Sequence, residues 1–535
     1  MATPGMLYVT MQPKPELPAE QFHEWYNNEH GPTRLRIPQI FSNGLRYRET
    51  DGQQPTFLAV YDVTSMSLLE TPTYLTLRAN RSPHEAETIG QVDVKRYFYD
   101  LVWEKKAPQF VPIEQLSDDE AEGIVLVTNE TVLKSDESEA EYRKWYEEEH
   151  VGMLAKVPGW LRTRFFRTST LEKDAKTVLL SYTEYAKNNG LGGAEHKAAM
   201  STKWREEVAE KHIAEKSRRT YSLFYVFGPA PRDLENLAKL PPSGRGLVYD
   251  NSQTTETPGE NEFIQSLVTT EDGLCIRYRL EGNPDPKAPT VAFCNSLLTS
   301  LHMWDPLVYI LKEKRPDLRI LRFDTRGRHA VPNKTPVTLD IVADDLNTLL
   351  GALRIRKLHA LIGVSMGGAT TLNFAIKYPD AIERFIACDF NVASSAANTQ
   401  AWKERTALAE EDGGRGIEKL ATQTVARWFH PSSMEKETIV NLMTDMVAAN
   451  NVEGFKYGCQ ALWDYNMTDK LGSIAVPGLL VVGEGDGKGA LVKAMEGFRG
   501  KVGKEGVELK IVPNTGHLPM WEDAQAFWEA IESFV

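Results

Sequence analysis

The sequence predicts two architectures in one chain: a duplicated β-α-β-β-α-β half over residues 1–228, then a half with a mainly parallel, helix-covered sheet over residues 263–535. Three observations carry this. A rare-residue segment recurs at a fixed offset of 120 residues, strand-like and helix-like segments alternate through the second half, and a Pro-, Gly-, Ser-, Thr- and Glu-rich stretch separates the two patterns.

The recurring segment is EQFHEWYNNEHGPTRLRIPQIF at 20–41, which returns as AEYRKWYEEEHVGMLAKVPGWL at 140–161. Trp25, Tyr26, Glu29, His30 and Pro38 map onto Trp145, Tyr146, Glu149, His150 and Pro158. Each copy opens on a β-rich stretch (MLYVTM, GIVLVTN) and continues through the Trp-Tyr helix to two further strands, of which FLAVYDV and VLLSYTEY are the clearer. A second helical segment and an aromatic strand (VKRYFYDLVW, TYSLFYVFG) close it. That order is the ferredoxin-like unit, whose sheet has one face uncovered. A second copy supplies the cover, so the tandem reads as a fused pseudo-dimer, with repeat 1 at 1–110 and repeat 2 at 111–228.

Trp-Tyr-x-x-Glu-His followed by Val/Ile-Pro resembles the EthD-like branch of the dimeric α+β barrel superfamily. That resemblance implies a barrel and leaves its reaction open, because the superfamily holds dehydratases, cyclases, oxygenases and proteins without a defined role. His30 and His150 are candidate acid/base groups. The alternative places each imidazole at the end of its helix, against the C-terminal dipole.

Residues 229–262 read as a linker or wrapping arm. Beyond them LCIRYRLEG, TVAFCNS, RILRFDTRG, LHALIGVS, RFIACDF, GLLVVGEGD and VELKIVPN read as strands. In such sheets the active site lies at the carboxyl ends of the strands. Ser365 stands there in Gly-Val-Ser-Met-Gly, between the strand LHALIGV and the helix MGGATTLNFAIKYP. Gly363, Gly367 and Gly368 permit the sharp turn that lifts a serine hydroxyl above the sheet. A serine needs a base, and the base needs an acid to fix its tautomer. Asp486, just past GLLVVGEG, and His517, in NTGHLPMWED, complete the order Ser, Asp, His, with Asp389 as the rival acid. The amides of Met366 and Leu297 are the expected oxyanion donors.

NSLLTSLHMWDP, FDTRGR, GVSMGG, RWF-P and EGFKYGCQAL, with the Asp and His contexts, resemble 3-oxoadipate enol-lactonases of the α/β-hydrolase superfamily. The resemblance implies an α/β-hydrolase domain at 263–535 with a helical cap at about 393–472, and a Ser365–His517–Asp486 triad with Trp428 in the cap near substrate. His302, Trp304 and Arg326 are candidate substrate contacts, each with a packing or ion-pair alternative. Arg328 shares that pair of readings, while His329, His359 and His430 read as polar surface or packing residues. The family's usual DTRGHG is Asp324-Thr-Arg-Gly-Arg-His329 here, and Leu298 replaces a customary glycine.

Composition bounds the rest. A net charge of −13 argues against nucleic acid or an anionic membrane as partner, and no run reaches the ~20 apolar residues of a membrane span. The start MATPGMLYVT lacks a signal-peptide pattern, so a cytoplasmic location is expected. Cys275, Cys294, Cys388 and Cys459 lack metal-type spacing and read as buried, reduced thiols. The expected function is a serine-dependent hydrolase of a small-molecule lactone or ester, with no cofactor or metal, and the barrel a possible route to homo-oligomers. Two alternatives stand beside it. In one the barrel is a lyase, cyclase or monooxygenase-like catalyst of secondary metabolism using His30 and His150; in the other it is a non-catalytic binding or oligomerisation module.

Overall fold

The computed structural model of the chain describes residues 3–535 apart from 174, 243–246, 250–252, 260, 330 and 332. It divides into two compact units, the first ending at Pro231 and the second beginning at Arg232.

The first unit is a closed, eight-stranded antiparallel barrel. Its strands are β1 (Gly5–Pro13), β2 (Leu45–Glu49), β3 (Phe57–Val63), β4 (Val92–Lys106), β5 (Val125–Leu133), β6 (Trp160–Thr168), β7 (Leu179–Tyr185) and β8 (Ile213–Val226). Neighbours run β4-β1-β3-β2 in the first copy and β8-β5-β7-β6 in the second, and β2–β8 and β4–β6 close the ring. The repeats therefore pair within one chain, and closure leaves the barrel no free edge to recruit a second copy.

Period-2 alternation sorts the side chains. Along β1, Met6 and Tyr8 point into the barrel with Tyr47, Leu58 and Tyr182, while Leu7, Val9 and Met11 pack outward under the Trp25–Tyr26 helix. Inside, the Tyr182 hydroxyl donates to that of Tyr47 at 2.9 Å, so residues from both copies share one core.

Both Trp-Tyr helices carry a π turn in their middle, Trp25–His30 between helices Ala19–Glu24 and Gly31–Leu35, and Tyr146–His150 between Ser138–Trp145 and Val151–Leu154. This corrects the helix-end alternative for His30 and His150. Both have helical backbone, and the chain continues helically beyond them, so neither faces a terminal dipole.

In the second unit, six strands run parallel in the order Glu508–Val512, Gly478–Gly483, Phe385–Cys388, Ala360–Val364, Thr290–Cys294 and Arg319–Phe323. Cys275–Gly282 pairs antiparallel with the last of these, and Phe263–Thr269 and Thr254–Thr257 extend the sheet antiparallel. The central strands are apolar and buried throughout, as a sheet covered on both faces requires. Helices Ala396–Gly414, Gly416–Trp428, Pro431–Met434, Glu437–Ala448 and Val452–Gly458 are inserted between strands Phe385–Cys388 and Gly478–Gly483.

Two expectations are corrected here. The stretch read as linker holds helix Leu234–Lys239, capped by Asp233 with Leu234 and Leu237 fully buried, and strand Thr254–Thr257 paired to Phe263–Thr269. It is structured beyond Pro231, although part of it lies outside the described residues. Cys275 is exposed on its strand, whereas Cys294, Cys388 and Cys459 are buried free thiols. Among the described residues no helix is long and apolar enough to cross a membrane.

Candidate active site

Ser365, Asp389, Asp486 and His517 follow the carboxyl ends of four adjacent parallel strands, which places them along one edge of the sheet. Ser365 occupies a strained turn with φ 60° and ψ −120°, a conformation that costs a non-glycine residue about 1–3 kcal/mol. Close packing enforces it. A Cβ on Gly367 would sit 2.0 Å from the Cys294 carbonyl oxygen, and one on Gly368 would sit 2.5 Å from that of Cys388. The Ser365 amide donates to the Cys388 carbonyl at 2.9 Å, pinning the turn to the next strand.

His517 Nδ1 lies 2.7 Å from Asp486 Oδ2. The imidazole stacks on Trp428 with centroids 5.6 Å apart and planes 28° apart, and its backbone amide donates to the Trp428 carbonyl at 2.7 Å. The end of helix Gly416–Trp428 thus fixes the ring from one face and anchors its backbone. The rival acid takes a different position. Asp389 is buried and accepts from the Gly483 amide at 2.8 Å, and burial, then the neighbouring Asp486 charge, pushes its carboxyl well above the usual range. Charge on Asp389 is thereby disfavoured, and Asp486 is the carboxylate that meets His517 directly. Asp389, Asp486 and His517 each bring a ligand-type atom within 4.8 Å of the others, a spacing that also suits a cation. The direct 2.7 Å pairing of Asp486 with His517 fits an acid–base pair better.

Glu522 is a positioning residue that the sequence reading missed. Its buried carboxylate accepts from the amides of Gly516 at 2.9 Å, Leu518 at 3.3 Å and His430 at 2.8 Å, bracketing the loop that carries His517. The available signal was an acidic residue inside the apolar run LPMWE.

The turn after strand Thr290–Cys294 carries Leu297. Asn295 holds it, donating to the Phe323 carbonyl at 2.8 Å and accepting from Trp304 Nε1 at 2.9 Å. Trp304 is fully buried against Phe293, which gives it a packing role in place of the expected substrate contact. His302 pairs with Asp305 at 3.1 Å on the exposed start of the next helix. Leu298 has φ 71°, a left-handed conformation that glycine adopts without strain; its carbonyl accepts at 2.7 Å from Asn450, just past helix Glu437–Ala448.

Arg326 is corrected likewise. Its guanidinium forks onto Asp345 at 2.8 and 2.7 Å and onto Asp272 at 2.5 Å, so the donors expected for a substrate carboxylate are already engaged. Arg328 donates to the Met446 carbonyl at 2.7 Å in the cap. His329 pairs with Asp324, His359 with Glu383 and His430 with Ser432, as polar packing residues do.

In the barrel, His30 Nδ1 meets Glu85 Oε1 at 2.7 Å. Burial lowers the His30 pKa to about 4, while hydrogen bonding to His30 offsets burial of Glu85 and takes its carboxyl to about 2. A neutral imidazole donating to a charged carboxylate satisfies both. His150 lacks that acid, and burial, with Lys216 and Arg205 adding to it, lowers its pKa to about 3.

The family model described as alpha/beta hydrolase fold matches residues 289–524. The 3-oxoadipate enol-lactonase 1 of Acinetobacter baylyi is 31% identical over 227 residues, covering 42% of this chain and 81% of that protein. Its enol-lactonase 2 is 30% identical over 227 residues, with 42% and 80% covered. The crystal structure of the enol-lactonase from Burkholderia xenovorans LB400 is 28% identical, covers 49% of this chain and 96% of that one, and has a TM-score of 0.43. Through its C-terminal half the chain belongs to the alpha/beta hydrolase family. That half is the hydrolase region, with enol-lactonases and esterases among its homologues.

Proposed function

We propose that the second unit hydrolyses a carboxylic ester or lactone through Ser365, His517 and Asp486. The observation that carries the reading is the 2.7 Å His517–Asp486 pair on the same sheet edge as the strained Ser365 turn. His517 Nε2 takes the Ser365 proton as the hydroxyl oxygen attacks the acyl carbon, and Asp486 stabilises the imidazolium. The Leu297 and Met366 amides hold the oxyanion, at about 3 kcal/mol for each donor in the transition state. Collapse expels the alcohol or enol, protonated by His517. Water deprotonated by His517 then releases the acid and restores Ser365. The named relatives are enol-lactonases, which makes an enol ester or enol lactone the first substrate class to test. An enolate leaving group eases the first step by accepting negative charge.

For the first unit, the order β4-β1-β3-β2 repeated as β8-β5-β7-β6 supports two fused ferredoxin-like units of the EthD-like kind.

The test is fluorophosphonate labelling read by intact mass, beside hydrolysis of an enol acetate. One adduct on the native chain, none on Ser365→Ala, and loss of hydrolysis in the same variant are expected. A folded native chain that takes no adduct and hydrolyses nothing would refute the reading.

A further inference from the structure

The second barrel repeat encloses a cavity of about 300 Å³ between its helices and sheet, into which His150, Arg205, Lys216 and Arg218 project. Three features make it a binding site in waiting. First, His150 is 6% exposed and its Nδ1, on the cavity wall, has no hydrogen-bond partner among the described residues. Second, three permanent or near-permanent cations line the cavity with no aspartate or glutamate among its walls, and none of the three forms an ion pair among the described residues. Arg205 Nε is likewise buried without a partner. Lys216 and Arg218 are exposed and mark the mouth, while Arg205 is half-buried. Third, Tyr142, Tyr146 and Tyr185 supply flat aromatic walls.

Repeat 1 shows what a filled version looks like. There Glu85 occupies the His30 nitrogen, and Phe227 stacks on Tyr26 and Tyr61 at 5.6 and 5.8 Å. The position matching Arg34 is Leu154, a wall of the cavity.

We propose that this cavity binds a small aromatic hydroxy-carboxylate. The carboxylate meets Arg205 and Lys216, the ring lies among the tyrosines, and the hydroxyl donates to His150 Nδ1, which the neutral imidazole leaves as an acceptor because its other nitrogen bonds the Ala199 backbone. The proposal is independent of the Ser365 chemistry.

The experiment is a fluorescence and calorimetric titration of the full chain with 3-hydroxy-2-naphthoate, beside 2-naphthol, which lacks the carboxylate, and 2-naphthoate, which lacks the hydroxyl. Saturable one-to-one binding is expected, at least tenfold tighter than for either comparator. Arg205→Gln and Lys216→Gln, each checked by thermal melting, should weaken it tenfold or more, and Ser365→Ala should leave it unchanged. Absence of saturable binding, equal affinity for 2-naphthol, or indifference to both cation variants would overturn the proposal. Loss of binding in Ser365→Ala would also overturn it, by moving the probe to the other unit.

Discussion

His30 and His150 in the barrel and His517 in the hydrolase unit each pack against a tryptophan, at 4.8, 4.6 and 5.6 Å between ring centroids, yet they differ in what meets Nδ1. His517 meets Asp486, His30 meets Glu85, and His150 meets no partner among the described residues. A carboxylate–imidazole pair alone therefore does not mark a catalytic base. What separates His517 from His30 is its surroundings: His517 sits past a strand end on the edge that presents Ser365, whereas His30 lies inside a helix, buried with Glu85 and beside Arg34. The sharpest test exchanges the two. His517→Asn is expected to lower kcat for ester hydrolysis by about 10⁴-fold or more, as loss of a triad base does. His30→Asn is expected to leave hydrolysis within about twofold, because Ser365, Asp486 and His517 all belong to the other unit. Equal losses would erase the distinction.

The same comparison divides the two aspartates at the site. Asp486→Asn presents an amide to His517 and selects the wrong tautomer, at a cost of about 10⁴-fold in kcat. Burial and the Asp486 charge push the Asp389 carboxyl well above the usual range, which favours its neutral form, so Asp389→Asn is nearly isosteric and alters the charge little. A loss below about tenfold is expected for it, and pre-steady-state acylation rates distinguish the two variants. A collapse in Asp389→Asn as deep as in Asp486→Asn would make Asp389 the working acid.

Glu522 comes next in size. Glu522→Gln keeps one acceptor but loses the charge that holds three amides, so a loss of about 2–3 kcal/mol in stability is expected. Denaturant unfolding measures it. kcat should fall more than KM changes, since the loop carrying His517 loosens while the pocket stays; an unchanged kcat would limit Glu522 to packing.

The sequence made the strand-end residues legible because the sheet's chemistry is local: Gly-x-Ser-x-Gly can be read within five residues, and Asp486 and His517 follow recognisable strands. The repeat was legible for a different reason, since two copies at a fixed offset need no structural knowledge to align. What escaped depends on tertiary contacts. Glu522 acts on amides six, four and 92 residues away, Arg326 is taken by Asp345 and Asp272 from separate segments, and Trp304 is claimed by Asn295. The π turns were also hidden, because the spacing of apolar residues around His30 and His150 reads as an ordinary helix end followed by proline. Composition misled in the Pro- and Ser-rich stretch, where Leu234 and Leu237 suffice to bury a short helix.

The smallest effect concerns stability and separates the two units by pH. Burial holds His30 and His150 neutral, with folded values of about 4 and 3 against an ordinary 6.5. Their depressed values leave the fold unpenalised above pH 6.5. As pH falls below 6.5 the unfolded chain takes up protons that the barrel refuses, and the loss is complete only below about pH 4 for His30 and pH 3 for His150. Shifts of this size correspond to about 3 kcal/mol for His30 and about 5 kcal/mol for His150. Glu85, held near 2, adds a further loss as pH falls from 4.5 toward 2. Calorimetric scans between pH 7 and pH 4 should show the barrel transition moving down steeply. His150→Phe, which cannot titrate, should flatten that dependence without altering ester hydrolysis. The aromatic hydroxy-carboxylate probe should lose affinity in the same variant, because the acceptor at Nδ1 is gone. A pH dependence identical in His150→Phe and the native chain would mean that His150 is not the buried neutral group that distinguishes repeat 2 from repeat 1.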